Sequence, residues 1–130
     1  MTPKEYAESY FKGDRFATGT TGIEIVDVRS QYAKCSLKID GRHLNAAGTV
    51  MGGAIFTLAD FTFAVASNPE GQRIVSVSST IEYLSASKGP VLYCEAECLR
   101  SGRNVCFYEM TVIGDDGKII ARVLTNGFKK

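Results

Sequence analysis

Several features are absent from this 130-residue sequence, and each absence narrows the range of functions. It has no run of lysine or arginine and a formal net charge of only +1. A dedicated nucleic-acid-binding protein would be strongly basic, so no nucleic-acid partner is expected. The longest apolar stretch has about sixteen residues and contains an aspartate, so it is too short to span a bilayer. The N-terminus lacks an apolar targeting core, and we expect a cytoplasmic protein without a membrane partner.

The sequence also lacks paired-cysteine motifs and any boundary between domains. The four cysteines form no Cys-x-x-Cys motif, and on an extended strand Cys94 and Cys98 would lie roughly 13 Å apart. That separation is too large for a disulfide or a shared metal, so we expect reduced core thiols and no metal site. The chain has no linker, repeat or low-complexity tract, which predicts a single domain over 1–130. The cysteines are Cys35, Cys94, Cys98 and Cys106.

The apolar pattern predicts an α+β domain. Thr2, Pro3 and Glu5 indicate the start of a short helix that stops at Gly13, and a nearly all-apolar helix is expected at about 52–66. Such a helix has to be enclosed, so we expect an antiparallel sheet curled around it, with neighbours joined by short turns. Strands are predicted at about 20–29, 31–39, 73–84, 90–100, 103–113 and 118–128.

One carboxylate, Asp60, lies in the middle of the apolar helix. Burying a carboxylate is costly unless it is paired, hydrogen-bonded or protonated, or unless its altered ionisation is used for chemistry. Asp60 is therefore a candidate general base or nucleophile for attack on a carbonyl. The structural alternative is a carboxylate that is hydrogen-bonded to Thr57 or to a neighbouring strand.

Two glycines, Gly52 and Gly53, begin the same helix, where the first amide N–H groups have no helical partners. A thioester carbonyl could approach there without meeting a Cβ, which makes an oxyanion site. The alternative is that the glycines only allow close packing. At about 1.5 Å per residue, Asp60 lies roughly 12 Å along the axis from Gly52. A shared site would therefore need a second copy with an antiparallel helix, in a symmetric homodimer.

A motif begins at His43, runs His-Leu-Asn-Ala-Ala-Gly-Thr-Val-Met-Gly-Gly to Gly53, and is followed by Asp60. It resembles the pattern His-x-Asn-x-x-Gly-x-x-His-Gly-Gly, then an acidic helix residue, of hotdog-fold acyl-CoA thioesterases of the phenylacetate-degradation type. The order of elements is similar over nearly the whole chain. The resemblance implies hydrolysis of a small to medium acyl- or aryl-CoA thioester, in sites built across a dimer interface. It also implies dimers that frequently pair into tetramers.

Four further positions have candidate roles, three of them inside this motif and one in a later strand. The amide of Asn45 could hold the attacking water or the substrate carbonyl, or it could bond its own turn. His43 occupies a position that is usually structural in the family. Met51 stands where many relatives carry histidine, and it would line the acyl pocket with flexible apolar surface. Ser76 matches a position where some relatives use a hydroxyl to orient water, and a structural strand serine is the alternative.

Coenzyme A requires partners for its phosphates. Arg100 and Arg103 flank Gly102 in a turn where they could meet the nucleotide, with Lys88 nearby in another loop. The alternative is an ordinary solvated hairpin turn. No cofactor is implied beyond the coenzyme A of the substrate. Three aromatic residues of the central helix could line an acyl pocket or form plain core: Phe56, Phe61 and Phe63.

Two other functions compete with thioester hydrolysis. A non-catalytic acyl-CoA binding or sensing protein on the same scaffold is suggested by Met51, which replaces a polar group near the carbonyl. A regulator would normally carry a DNA-binding segment, and no helix-turn-helix pattern fits in the chain. A hydratase or dehydratase would need a catalytic histidine beside a carboxylate, whereas His43 is the only histidine and lies in a loop.

Overall fold

The computed structural model describes residues 1–71 and 73–130. The described chain contains two α-helices and one six-stranded antiparallel sheet. The predicted α+β class and all eight predicted elements are present, with boundaries shifted by at most about three residues. The helices are α1 (Pro3–Phe11) and α2 (Gly52–Ser67), and the strands are β1 (Ile23–Arg29), β2 (Tyr32–Lys38), β3 (Ile74–Tyr83), β4 (Val91–Ser101), β5 (Val105–Gly114) and β6 (Ile119–Lys129).

The start of the chain forms the predicted capping box. The Thr2 hydroxyl accepts the Glu5 N–H at 3.1 Å, and the Glu5 carboxylate accepts the Thr2 N–H at 2.9 Å. A π-helical turn at Phe16–Thr21 follows, and it ends at Gly22 with φ 90°. No sequence pattern predicted this turn, and the predicted start of β1 was three residues too early.

The sheet has the strand order β1-β2-β4-β5-β6-β3, and every pair is antiparallel. The expectation that short connections join neighbours is correct for β1–β2, β4–β5 and β5–β6 but wrong for β3 and β4. The segment between them crosses beneath the start of α2, where the Ser87 carbonyl accepts the Val50 N–H at 2.8 Å. β4 therefore pairs with β2, and among the described residues β3 lies at the sheet edge and pairs with β6 alone.

The long helix α2 packs across the concave face of the sheet, mainly against β2 and β4. Its inward face includes Leu58, Ala59 and Val65, which are fully buried. The expected enclosure is incomplete in the single chain, because one stripe of the helix remains partly or fully exposed. That stripe consists of Gly53, Phe56, Thr57, Asp60 and Ala64.

The cysteines are free thiols, as predicted, and three of them are buried. Cys35 and Cys94 lie directly opposite one another on β2 and β4, which sequence spacing alone could not indicate. In the described part of the chain, no helix combines the length and the apolar character needed to cross a membrane.

Candidate active site

Asp60 lines a cavity of about 440 Å³ on the open stripe of α2. The helix supplies Phe56 and Phe61 on either side of it, and the segment after α1 supplies Phe16 from across the cavity. Phe61 is also fixed from behind, since its ring meets Phe11 edge-on at 5.8 Å. Phe56 and Phe61 therefore line the candidate acyl pocket, whereas Phe63 is core and packs edge-on against Tyr108.

The Asp60 carboxylate has an altered ionisation. Its side chain reaches solvent in the single chain, yet the surrounding residues remove enough water to raise the pKa of Asp60 above its ordinary value. The negative charge of Asp14 raises that pKa further. No hydrogen bond or ion pair among the described residues reaches the Asp60 carboxylate, and the Thr57 hydroxyl instead donates to the Gly53 carbonyl at 2.8 Å. The predicted alternative of a Thr57-bonded carboxylate is not what the structure has.

The start of α2 forms a second cleft, of about 350 Å³, beside Gly52. Hydrogen bonds among the described residues leave the N–H groups of Gly52 and Gly53 without a protein partner. Tyr83 lies over this turn and donates its hydroxyl hydrogen to the Gly52 carbonyl at 3.1 Å. A Cβ on Gly52 would come within 3.1 Å of the Tyr83 ring, whereas one on Gly53 would meet nothing within 4 Å.

Asp60 and Gly52 line different clefts of one chain. This separation follows from the eight residues between them, which correspond to roughly 12 Å of helix. A single chain therefore does not assemble the acid and the amide donor around one carbonyl.

The loop before α2 contains the predicted Asn45 and His43. The Asn45 Oδ1 accepts the N–H groups of Ala47 at 3.0 Å and Thr49 at 3.1 Å, so the amide makes the bonds of a turn residue. His43 is buried, and its Nδ1 accepts the Asp40 N–H at 3.0 Å while its Nε2 donates to the Thr21 carbonyl at 2.7 Å. Both ring nitrogens are engaged in holding the loop, as expected of a structural histidine.

Two other predicted residues are exposed in the single chain. Met51 precedes α2 and is 58% exposed, next to the Gly52 cleft. Ser76 lies on the edge strand β3 opposite Gly127 of β6. Neither residue lines the Asp60 cavity, so their predicted roles toward an acyl group remain predictions.

The predicted phosphate-binding residues fall into two places. Arg100, Gly102 and Arg103 surround the β4–β5 turn, and both arginines are exposed. Lys88 was expected nearby, and this was wrong for one chain: it precedes β4, whereas Arg100 lies at the far end of that strand. Eleven residues of β4 correspond to about 33 Å.

Two residues at these clefts were not predicted from the sequence. Asp14 faces Asp60 across the cavity, and Tyr83 covers Gly52. Asp14 follows the helix stop Gly13, where an aspartate is ordinary, and Tyr83 ends a strand. Neither has a sequence pattern that marks it, because both become relevant only through contacts with α2.

Comparison with known proteins identifies the family. A sequence model of the thioesterase superfamily matches residues 47–121, which include Gly52 and Asp60 and make up more than half of the chain. The chain belongs to the thioesterase superfamily. The predicted enzyme class, a thioester hydrolase, is thereby confirmed.

Curated relatives in this superfamily cover most of the chain. An Archaeoglobus fulgidus protein that carries the name of an esterase is 37% identical over 98 residues, which are 75% of this chain and 64% of that protein. The chain thus spans just under two thirds of the length of that relative. The Escherichia coli acyl-coenzyme A thioesterase PaaI is 27% identical over 116 residues, which are 88% of this chain and 82% of PaaI.

Solved structures confirm the hotdog fold. A hypothetical thioesterase from Streptococcus pneumoniae, crystallised with coenzyme A, matches with a TM-score of 0.85 at 26% identity. The match covers 92% of this chain and 96% of the pneumococcal chain. The structure of E. coli PaaI, from the phenylacetic acid degradation operon, matches with a TM-score of 0.87 at 21% identity and covers 99% of this chain and 96% of that chain. The resemblance to thioesterases of the phenylacetate-degradation type is thus confirmed, with PaaI similar in sequence and in fold.

Proposed function

We propose that this protein is an acyl-CoA thioesterase that hydrolyses small to medium acyl- or aryl-CoA thioesters. The single observation that carries the proposal is the unpartnered Asp60 carboxylate, whose pKa is raised, in a cavity with aromatic walls. A carboxylate with a raised pKa is a better base than an ordinary aspartate, and the walls suit an apolar acyl or aryl group. The coenzyme A of the pneumococcal neighbour agrees with such a substrate.

The proposed reaction uses Asp60 and the amide of Gly52. Asp60 takes a proton from water, and the water oxygen attacks the thioester carbon while the N–H of Gly52 stabilises the developing oxyanion. The C–S bond then breaks, the acid leaves, and the coenzyme A thiolate takes up the proton. Direct attack by Asp60, with an anhydride that water later opens, is the other possible route. Asn45 would assist by holding the water.

The site is proposed to form between two copies of the chain. Support comes from β3, which in the described chain pairs on one side only and leaves Val77 63% exposed. α2 begins near the Tyr83 end of β3 and ends near its other end, where the Asn68 amide donates to the Ile74 carbonyl at 3.2 Å. Antiparallel pairing of two β3 strands would therefore set two α2 helices antiparallel. Asp60 of one copy would then approach Gly52 of the other.

The same pairing of β3 strands would bring the proposed phosphate-binding residues of two copies close together. Lys88 lies near the Tyr83 end of β3, whereas Arg100 and Arg103 lie near the Ile74 end, so a dimer would place Lys88 of one copy toward the arginines of the other. Met51 and Gly53 would line the thioester end, and Ser76 would orient water. We further propose that no metal or redox cofactor takes part, that dimers assemble into tetramers, and that the enzyme works in the cytoplasm.

A thiol-release assay tests the proposal. Short-chain, long-chain and aryl acyl-CoA thioesters are mixed with the protein and a thiol-detecting dye, and the assay is repeated with Asp60→Asn. We expect selective hydrolysis and a loss of kcat of about 10²- to 10⁴-fold in the variant, since it lacks the base. Asp115→Asn in the exposed β5–β6 turn is the matched control and should retain full activity.

The assay also separates the two candidate functions. Saturable acyl-CoA binding without thiol release would support the non-catalytic binding protein that Met51 suggests. Equal activity on every thioester, with unaltered turnover in Asp60→Asn, would refute the proposed enzyme.

A further inference from the structure

Two carboxylates share the candidate acyl cavity. Asp14 and Asp60 both line it, together with Arg15 and aromatic walls that include Phe16 and Phe56. Neither carboxylate forms an ion pair in the described part of the chain, and Arg15 pairs with no acidic residue there. Two like charges that share a cavity, neither of them in a direct ion pair, repel one another, so this arrangement calls for a functional reason.

The position of Asp14 is fixed from both sides. Its N–H donates to the Phe11 carbonyl at 2.9 Å, and its own carbonyl accepts the N–H and the hydroxyl of Thr18 at 2.9 and 3.0 Å. Phe11 in turn packs edge-on against Phe61, the residue next to Asp60. The end of α1 is therefore docked on α2, and it holds Asp14 across the cavity from Asp60.

Arg15 brings a positive charge to the same cavity, but it forms no ion pair with either carboxylate in the described part of the chain. Among the described residues, the titratable side chains that the strands present to the core around α2 are thiols and phenols: Cys35, Cys94, Cys98, Cys106, Tyr83 and Tyr108. Cys35 and Cys94 lie near Thr62, on the opposite side of the helix from Asp60. Asp14 and Arg15 are thus the charges that face Asp60 within the cavity.

We propose that Asp14 is a positioning residue that acts through Asp60, setting the pH range in which Asp60 works and excluding acyl groups that carry a negative charge. The part concerning substrates rests on the proposed function. An acyl group with a terminal carboxylate would place a third negative charge in the cavity, whereas a neutral aryl or alkyl group would meet only its walls. Asp14 is exposed in the single chain, and its partial desolvation beside the cavity wall raises its pKa.

The electrostatic part is tested without any substrate. The Asp60 carboxyl carbon is followed by ¹³C NMR through a pH titration of the intact protein, with Asp60→Asn used to assign its signal. In Asp14→Asn, which keeps the shape of the side chain, the midpoint should move to lower pH. Asp14→Glu should restore it, and Asp115→Asn should leave it unchanged. A midpoint in Asp14→Asn equal to that of the unmodified protein would overturn the proposal.

Kinetics test the part concerning substrates. In Asp14→Asn the acid limb of kcat/KM should move with the NMR midpoint, and rates on that limb should rise by about tenfold per pH unit of movement. The preference for a neutral acyl-CoA over a dicarboxylic acyl-CoA of equal length should fall by about five- to tenfold. An unchanged preference would overturn this part.

The two sets of results separate this inference from the proposed function. A shifted midpoint in a protein that hydrolyses no thioester would refute the proposed function but support the coupling of the two carboxylates. Hydrolysis that depends on Asp60, with no shift in the midpoint, would support the proposed function and refute the role of Asp14.

Discussion

At the scale of single residues, Asp60 makes the folded chain less stable than a neutral side chain would. Its pKa in the folded state is raised above the ordinary value of 3.8. Between these two pKa values the native state holds more protons than the unfolded state, so stability falls as pH rises. Above the folded-state pKa, the full penalty is present. The residue is thus better suited to chemistry than to stability.

Asp60→Asn should therefore melt at a higher temperature than the unmodified protein at neutral pH. Because solvent screens the partly exposed carboxylate, we expect the free energy of unfolding to rise by only about 0.5 kcal/mol and Tm by about 2 °C. Below the unfolded-state pKa both states are protonated, and the difference should vanish. Thermal unfolding at neutral and acidic pH measures this, with Asp115→Asn as a control that shows no gain. A lower Tm for Asp60→Asn at neutral pH would contradict the assignment.

At this scale, a site residue could be predicted from the sequence when its chemical type differs from that of the residues around it in the chain. Asp60 and the paired glycines were identifiable because a carboxylate and flexible residues are unusual in an apolar helix. The partners of a residue were not identifiable in this way. Asp14 and Tyr83 have ordinary positions in the sequence, and only the packing of α1 and β3 on α2 brings them to the clefts.

At the scale of elements, the loop before α2 is held by buried hydrogen bonds. His43 bonds the backbone of Asp40 and Thr21 through its ring, and its own carbonyl accepts the Met51 N–H at 2.8 Å. The loop therefore fixes where the glycine pair begins the helix.

His43→Ala should destabilise the protein by about 2–4 kcal/mol, because it leaves a cavity and two backbone groups without partners. Urea unfolding measures the change. The neighbouring Arg42→Ala is the matched control, since Arg42 is exposed and pairs with Asp40 at the surface, and it should cost less than about 1 kcal/mol. Equal costs for the two variants would show that the ring does not hold the loop.

Prediction of the elements succeeded where local pattern decides and failed where long-range contacts decide. Alternating burial in β2 and β5 follows from alternating residue types, and α1 follows from its capping box. The separation of β3 from β4 depends on which strand edge is free once α2 covers the sheet. Short turn signals carry no information about that choice.

At the scale of the whole molecule, the free edge of β3 should be a contact between copies. A lysine on an edge strand opposes pairing with another strand. Val77→Lys should therefore convert a dimer of 14.1 kDa chains into monomers and lower thioesterase activity by at least about tenfold, as proposed for a shared site. Sedimentation and the thiol-release assay measure both effects.

The other sheet edge provides the control. Val26 is also exposed, on the opposite edge strand β1, and Val26→Lys should change neither mass nor activity. Dimers that persist in Val77→Lys, or monomers that remain fully active, would contradict a site shared across β3.

Because Gly52 and Asp60 lie in different clefts of one chain, the proposed site between two copies would have a consequence for inheritance. Suppose that a cell carries two alleles, one lacking the acid and the other lacking a usable helix start. Each allele alone would encode an inactive enzyme. A mixed pair would combine both defects in one cleft and leave the second cleft intact, so the two alleles would complement each other. A loss of function at Asp60 would then be complemented by a loss of function at Gly52, but not by a second loss at Asp60.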